Sequence, residues 1–178
     1  MFDLLFNLTD WLRTTVLLDF AFWLTETRLS LFMVENFWNV PIAQVIHIAS
    51  IGLAFSSLLM LTLRVNEKAG TAISVAANAS RYLPWMWWSL LGILVSGLVM
   101  ITAEPIRNMV NAVFWIKMVT LVVVIAITLV FQKSVRAKAL AGGENFVAGS
   151  GIRTTGLLLV ILWCFIMLCG RWIAYVPV

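Results

Sequence analysis

The stretch VPIAQVIHIASIGLAFSSLLMLTL, residues 40–63, decides the fold of this chain. It contains no Asp, Glu, Lys or Arg, and its His47 is the only histidine among the 178 residues. Because about 20 mostly apolar residues suffice for a helix to cross a bilayer, the stretch predicts a membrane-spanning helix. An imidazole inside such a helix needs an explanation.

Three further stretches have the same character, at about residues 83–103, 111–132 and 155–178. With 62% hydrophobic and only 11% charged residues, a soluble domain would be left with apolar surface that it could not bury. The sequence therefore predicts an all-α integral membrane protein, in which residues 39–178 form a four-transmembrane-helix bundle.

Residues 1–38 follow a different pattern, with apolar side chains on one side of a predicted helix over residues 2–16. That apolar side consists of Leu5, Leu8, Leu12 and Val16. The apolar segment that follows, residues 17–38, is interrupted by the charged residues Asp19, Glu26, Arg28 and Glu35. This pattern is typical of helices that lie in the membrane interface. We expect N-terminal interfacial amphipathic helices before the four spans.

The basic residues predict the orientation of the spans. Those in or beside the first and third connections are Arg64, Lys68, Arg81, Lys133, Arg136, Lys138 and Arg153. Since positively charged connections stay on the cytoplasmic side, the N- and C-termini are expected to be periplasmic, in a bacterial inner membrane.

The net charge of +4 does not indicate nucleic-acid binding, because the basic residues form no cluster with aromatic residues. Membrane lipids are the expected partners of these charges. Cys164 and Cys169 point in different directions from one apolar helix, so neither a disulfide between them nor a structural zinc site is predicted.

Three ionisable side chains are predicted at one depth in the membrane. His47, Lys117 and Arg171 each lie six or seven residues from the outer end of their spans. At 1.5 Å per residue this depth is about 9 to 11 Å. Gln44 lies one turn outward from His47, and Tyr175 one turn outward from Arg171, so both are candidates for the same layer.

A simpler explanation exists for each of these side chains. The long side chains of Lys117 and Arg171 can carry their charges up to the interface. His47 can be a neutral imidazole that bonds a carbonyl, Ser or Gln of a neighbouring helix.

Small residues surround His47 along its helix, and its stripe consists of Ala43, His47, Ser50, Ala54 and Ser57. Such a stripe indicates that something comes close to this face. One explanation is a neighbouring helix, for which the second span offers Ser89, Gly92 and Ser96. The other explanation is a flat cofactor.

A b-type haem would use these residues with His47 as its axial ligand and with Lys117 and Arg171 beside the propionates. A second axial ligand would be Met118, Met167 or the His47 of another protomer. The predicted site therefore comprises His47, Lys117, Arg171, Gln44, Tyr175 and Ser50. Its predicted function is electron transfer, in a homo-oligomer or as a subunit of a larger membrane complex.

Three alternatives stay open. A quinone can replace haem at the same layer. Copper(I) favours soft ligands, which here would be His47, Met167, Cys164 and Cys169. The chain can also be a non-catalytic accessory or assembly subunit without a cofactor, in which His47 is a structural residue. Hydrolytic catalysis is not expected, because no carboxylate lies inside a predicted span.

Three segments carry a resemblance to a family of small, mostly uncharacterised bacterial four-span membrane proteins. They are WLTETRLSLFMVENFWNVPIAQVIHI (residues 23–48), LPWMWWSLLGILVSGLVMITAEPIRNMVNAVFWIKM (residues 83–118) and GRWIAY (residues 170–175). The resemblance covers nearly the whole chain. This sequence departs from the family pattern at Gln44 and at Thr62, where family members often have an acidic residue.

The resemblance implies a fold distantly like the copper-resistance D-like proteins and the b-type cytochrome four-helix bundles. It also implies that seven residues belong to recurring family motifs: His47, Arg64, Asn108, Phe114, Lys117, Arg171 and Tyr175. It supplies no reaction.

Overall fold

The computed structural model describes residues 2–143 and 146–176. Within these ranges the chain forms helices and turns and no strand. The helices are α1 (Phe2–Arg13), α2 (Val16–Thr25), α3 (Arg28–Glu35), α4 (Asn39–Val65), α5 (Val75–Ala103), α6 (Pro105–Met109), α7 (Ala112–Gly142) and α8 (Ser150–Trp172). The predicted all-α class is confirmed.

Four of the described helices, α4, α5, α7 and α8, are long and apolar enough to cross a membrane. Their apolar length exceeds what a soluble domain would carry, so the protein is an integral membrane protein. These four helices coincide with the four predicted spans, although their ends differ.

The largest difference in helix ends is at α5, which begins at Val75 and not near residue 83. The hydroxyl of Ser74 accepts a hydrogen bond from the backbone N–H of Ala77 at 3.2 Å, as expected of a residue that caps a helix N-terminus. Pro84 lies inside α5 and has no N–H to donate to the carbonyl of Ser80. The helix therefore begins more than two turns before its proline.

Helix α7 continues past residue 132 and ends at Gly142. Gly143 follows with φ of +60°, a left-handed conformation that ends helices and favours glycine. At the other end of the chain α8 stops at Trp172, so Tyr175 lies in the turn that follows the helix.

Three short helices precede α4. Thr15 and Thr27 cap α2 and α3, since their hydroxyls accept from the backbone N–H groups of Leu17 and Ser30. Helix α2 packs against α6. On α1, Leu12 is buried and Leu5 and Leu8 are half-buried, in agreement with the predicted apolar side. Val16 is exposed because it begins α2 and does not extend the surface of α1.

Contacts divide the chain into two compact units, and each long helix contributes residues to both. The histidine unit consists of Met1–Ile48, Gly92–Thr120 and Ile166–Val178. The basic unit consists of Ala49–Leu91 and Leu121–Phe165 and contains all seven basic residues on which the orientation was predicted.

Polar contacts join the helices inside the basic unit. The indole Nε1 of Trp87 donates to Gln132 Oε1 at 2.7 Å, which links α5 to α7. Gly156 of α8 lies against Thr62 of α4, and a Cβ atom at this glycine would lie 3.1 Å from the Thr62 hydroxyl. The absence of a side chain at Gly156 therefore allows the two helices to approach closely.

Candidate ligand site around His47 and Lys117

His47 is half-buried on α4, and its imidazole faces α5. Its Nδ1 atom lies 2.9 Å from Oγ of Ser96, a residue that is only 4% exposed. The hydroxyl of Ser96 in turn donates to the carbonyl of Gly92, one turn earlier, at 2.5 Å. The imidazole is therefore held at one of its two nitrogens by a hydrogen-bonded pair on α5.

Gly97 lets α5 come close to the imidazole. A Cβ atom at Gly97 would lie 3.4 Å from Cε1 of His47, at the short limit of ordinary van der Waals contact. At His47, the stripe of small residues therefore packs against a neighbouring helix, α5.

Lys117 is positioned by the start of α7. The side-chain oxygen of Asn111 accepts from the backbone N–H of Val113 at 2.9 Å, and its amide nitrogen donates to the carbonyl of Ile173 at 3.3 Å. Asn111 is fully buried and thereby ties the N-terminus of α7 to the chain just after α8. Less than two turns along α7, Nζ of Lys117 lies above Gly170, 3.4 Å from where a Cβ would be.

Lys117 belongs to the same unit of the chain as His47 and the buried Cys169. Within residues 2–143 and 146–176, the ion pairs are Arg13–Asp10, Arg107–Glu104 and Arg153–Glu67. Lys117 thus has no carboxylate partner in this described part of the chain. A cation in apolar surroundings without a counter-ion is costly and marks a position where a negative group would be stabilised.

Arg171 does not join His47 and Lys117 in the same way. Its side chain is exposed, its Nη2 donates to the hydroxyl of Tyr175 at 2.8 Å, and its guanidinium carbon lies 5.2 Å from the centre of the tyrosine ring. The two predicted outer residues also lie at the surface, since Gln44 and Tyr175 are both exposed. The structure therefore joins Arg171 to Tyr175 at the surface, whereas His47 and Lys117 are half-buried in the same unit.

The remaining predicted residues are half-buried. Ser50 lies in the basic unit, and Met118 and Met167 lie in the histidine unit on α7 and α8. Over the described residues no three His, Cys, Asp or Glu side chains lie close enough to hold a metal ion together. A haem would find one imidazole in this chain, and its second axial ligand would be one of the two methionines or a residue from another chain.

An apolar groove of about 270 Å³ lies beside Ser96, and among the residues that line it are Met33, Ile42, Ala43, Ile46, Val95 and Ser96. Its volume lies just below the range of about 300 to 1,000 Å³ that is common for ligand pockets. The groove alone is therefore too small for a macrocycle.

Sequence reasoning placed Ser96 on a small surface but did not identify it as the partner of His47. It also missed Gly97 and Gly170, the two glycines beneath the imidazole and the ammonium group. The available signal was the combination of a single histidine on one span with Ser and Gly on the next. Which serine would meet the imidazole depends on the rotation of α5, which the sequence does not define.

No curated protein and no solved structure matches the chain significantly. The family of unknown function DUF6644 matches residues 22–176, which is most of the chain, and the protein therefore belongs to that family.

Proposed function

We propose that the histidine unit binds a redox group and that the protein transfers electrons within a membrane, with haem b as the first candidate. The observation that supports this proposal most is the pair formed by His47 and Lys117. It combines an imidazole held at Nδ1 by Ser96 with a cation that has no carboxylate partner among the described residues. Both side chains rest against glycines.

In this proposal His47 would hold the haem iron through Nε2, while Ser96 holds the other nitrogen and so fixes the orientation of the ring. Lys117 would provide positive charge for a propionate, and Arg171 remains the second candidate cation, although it is exposed and bonded to Tyr175. Haem b, when bound, supplies a one-electron change between ferrous and ferric iron. The second ligand would be Met118, Met167 or His47 of a second protomer.

The proposal extends to the membrane. A bacterial inner membrane with both termini in the periplasm is supported by the basic residues of the basic unit, which the cytoplasmic face attracts. In this orientation the redox group lies in the periplasmic half of the protein. Membrane lipids, further copies of the chain or a larger complex would be its partners.

An optical spectrum of the protein, purified from cells supplied with haem precursors, tests the proposal. We expect a Soret band that His47→Ala removes and that Val45→Ala, a change at an exposed residue on the same helix, leaves in place. Solvent extraction and metal analysis of the same sample test the quinone and copper versions. A sample without pigment, quinone or metal would contradict a redox role.

A second candidate function is that of a non-catalytic accessory or assembly subunit. The observation that favours it is that Ser96 and Gly97 together account for His47 as a contact between two helices. In this case His47→Ala would leave copurifying proteins unchanged. Gly92→Leu, which fills the surface beside Ser96, would release them, while Gly52→Leu at an open position would not.

A further inference from the structure

We propose that Ser96 selects one tautomer of His47, with the hydrogen on Nδ1 and the lone pair on Nε2. Ser96 is then a positioning residue for any group that the imidazole binds. That this tautomer serves to bind a redox group through Nε2 rests on the proposed function. The tautomer itself follows from the hydrogen bonds alone.

The first step concerns the single proton of the Ser96 hydroxyl. Its Oγ lies 2.5 Å from the carbonyl oxygen of Gly92 and 2.9 Å from Nδ1 of His47. A carbonyl oxygen has no hydrogen to give, and two oxygens at 2.5 Å repel each other unless a proton lies between them. The hydroxyl proton therefore points to Gly92.

The second step follows for the imidazole. Because the Ser96 proton is used by Gly92, its oxygen faces Nδ1 as an acceptor, and Nδ1 must carry the hydrogen. The neighbour of Nδ1 on this side of the ring is therefore an acceptor.

The third step concerns Nε2. In a neutral imidazole only one nitrogen carries hydrogen, so Nε2 keeps its lone pair. Lys117 of the same unit has three donors and no acceptor and cannot stabilise a hydrogen on Nε2. A lone pair on Nε2, with the other nitrogen hydrogen-bonded, is the form in which histidine binds metal ions.

The single histidine makes the tautomer directly measurable. In protein labelled with [15N]histidine and prepared without cofactor, the two ring nitrogens give signals from His47 alone. We expect one dominant form in the wild type, with a one-bond N–H coupling at Nδ1 and a lone-pair nitrogen at Nε2. Ser96→Ala should lower the fraction of this form at least threefold, and Ser96→Thr, which keeps a hydroxyl, should restore it.

Ser89→Ala is the matched control. Ser89 is 4% exposed, and its hydroxyl donates to the carbonyl of Trp85 four residues earlier, at the same 2.5 Å as in Ser96. The control removes an equivalent bond from the same helix and should leave the two nitrogen signals unchanged. If Ser96→Ala does not fold, the wild-type and Ser96→Thr spectra still test the assignment.

Two results would overturn the inference. One is a wild-type spectrum with the hydrogen on Nε2. The other is a folded Ser96→Ala protein with the wild-type tautomer. Since both measurements use protein without cofactor, failure to find haem would contradict the proposed function and leave this inference standing. In a haem-loaded sample, Ser96→Ala should also move the reduction potential, and Ser89→Ala should not.

Discussion

Two polar side chains of the basic unit, Trp87 and Arg153, bond partners far along the chain, whereas Lys117 of the histidine unit has no carboxylate partner among the described residues. Trp87 bonds Gln132 at 2.7 Å, and Arg153 pairs with Glu67 at 3.0 Å. In the histidine unit His47 is bonded at Nδ1 by Ser96, and Lys117 has no carboxylate partner within the part of the chain that the structure describes. The contacts of Trp87 and Arg153 therefore add stability, whereas the charge of Lys117 costs stability.

Ionisable residues inside membrane spans are costly and typically serve a function. The comparison thus separates two classes of substitution. Changes in the basic unit should alter the free energy of unfolding without affecting a ligand. Changes at the unsatisfied groups of the histidine unit should weaken ligand binding while leaving stability unchanged or raising it.

Lys117→Met should have the largest effect, and it should stabilise the protein. Methionine replaces the charged side chain with an apolar one of similar length, which removes a desolvation cost of about 2.5 kcal/mol for a charge inside a membrane helix. At about 2 to 4 °C per kcal/mol, the thermal midpoint in detergent should rise by about 5 to 10 °C. The same substitution should reduce haem content or the content of an extracted quinone.

Lys133→Met is the control for this prediction, since Lys133 is an exposed cation on the same helix, α7, within the basic unit. The thermal midpoint of the Lys133→Met protein should stay near that of the wild type. A Lys117→Met protein with a lower midpoint would show that the ammonium group contributes to stability, and the proposed contrast between the units would be lost.

Gly156→Ala should have the largest destabilising effect. The added Cβ would lie 3.1 Å from Oγ1 and 3.2 Å from Cγ2 of Thr62, and 3.4 Å from Cζ of Phe131. Overpacking of this kind costs about 1 to 2 kcal/mol. Thermal midpoints should show a loss for Gly156→Ala and none for Gly52→Ala, because no atom lies within 4 Å of a Cβ built at Gly52. Equal midpoints would mean that Thr62 moves away at no cost.

Hydropathy and length predicted the fold class from the sequence, because the bilayer imposes both on a spanning helix. The ends of the helices were harder to predict from the sequence. At α5, the apolar stretch predicted a start near residue 83, whereas the cap formed by Ser74 begins the helix at Val75. A local hydrogen bond of one serine thus outweighed the pattern of apolar residues.

The candidate site was predictable in part. Counting residues from the span ends placed His47 and Lys117 at one depth, and in the structure both are half-buried in the same unit. The same counting did not predict on which side of its helix each side chain lies. It therefore did not distinguish the exposed Arg171 from the half-buried His47 and Lys117. Depth follows from a fixed rise per residue, whereas direction depends on how neighbouring helices pack.

Trp87→Phe should have an intermediate effect in the basic unit. Phenylalanine retains most of the apolar contact but has no N–H, so Gln132 loses the donor that binds its Oε1. Hydrogen bonds between membrane helices contribute about 0.6 kcal/mol on average, which corresponds to a fall of about 1 to 2 °C in the thermal midpoint. Trp88→Phe, at a residue that is 69% exposed, should leave the midpoint unchanged. Identical midpoints for both variants would show that this bond adds nothing to stability.

Glu67→Gln should have the smallest effect. The Arg153–Glu67 pair is partly exposed, with 32% and 47% of the two side chains accessible, and Arg153 Nε also donates to the carbonyl of Ala148 at 2.9 Å. Arg153 thus stays anchored without the carboxylate, and an exposed pair contributes about 0.5 kcal/mol or less. Thermal midpoints at low and high salt measure the effect, and the small difference from the wild type should shrink as salt screens the charges. A large fall in the thermal midpoint that salt does not change would show that the pair is shielded from solvent and contributes strongly to stability.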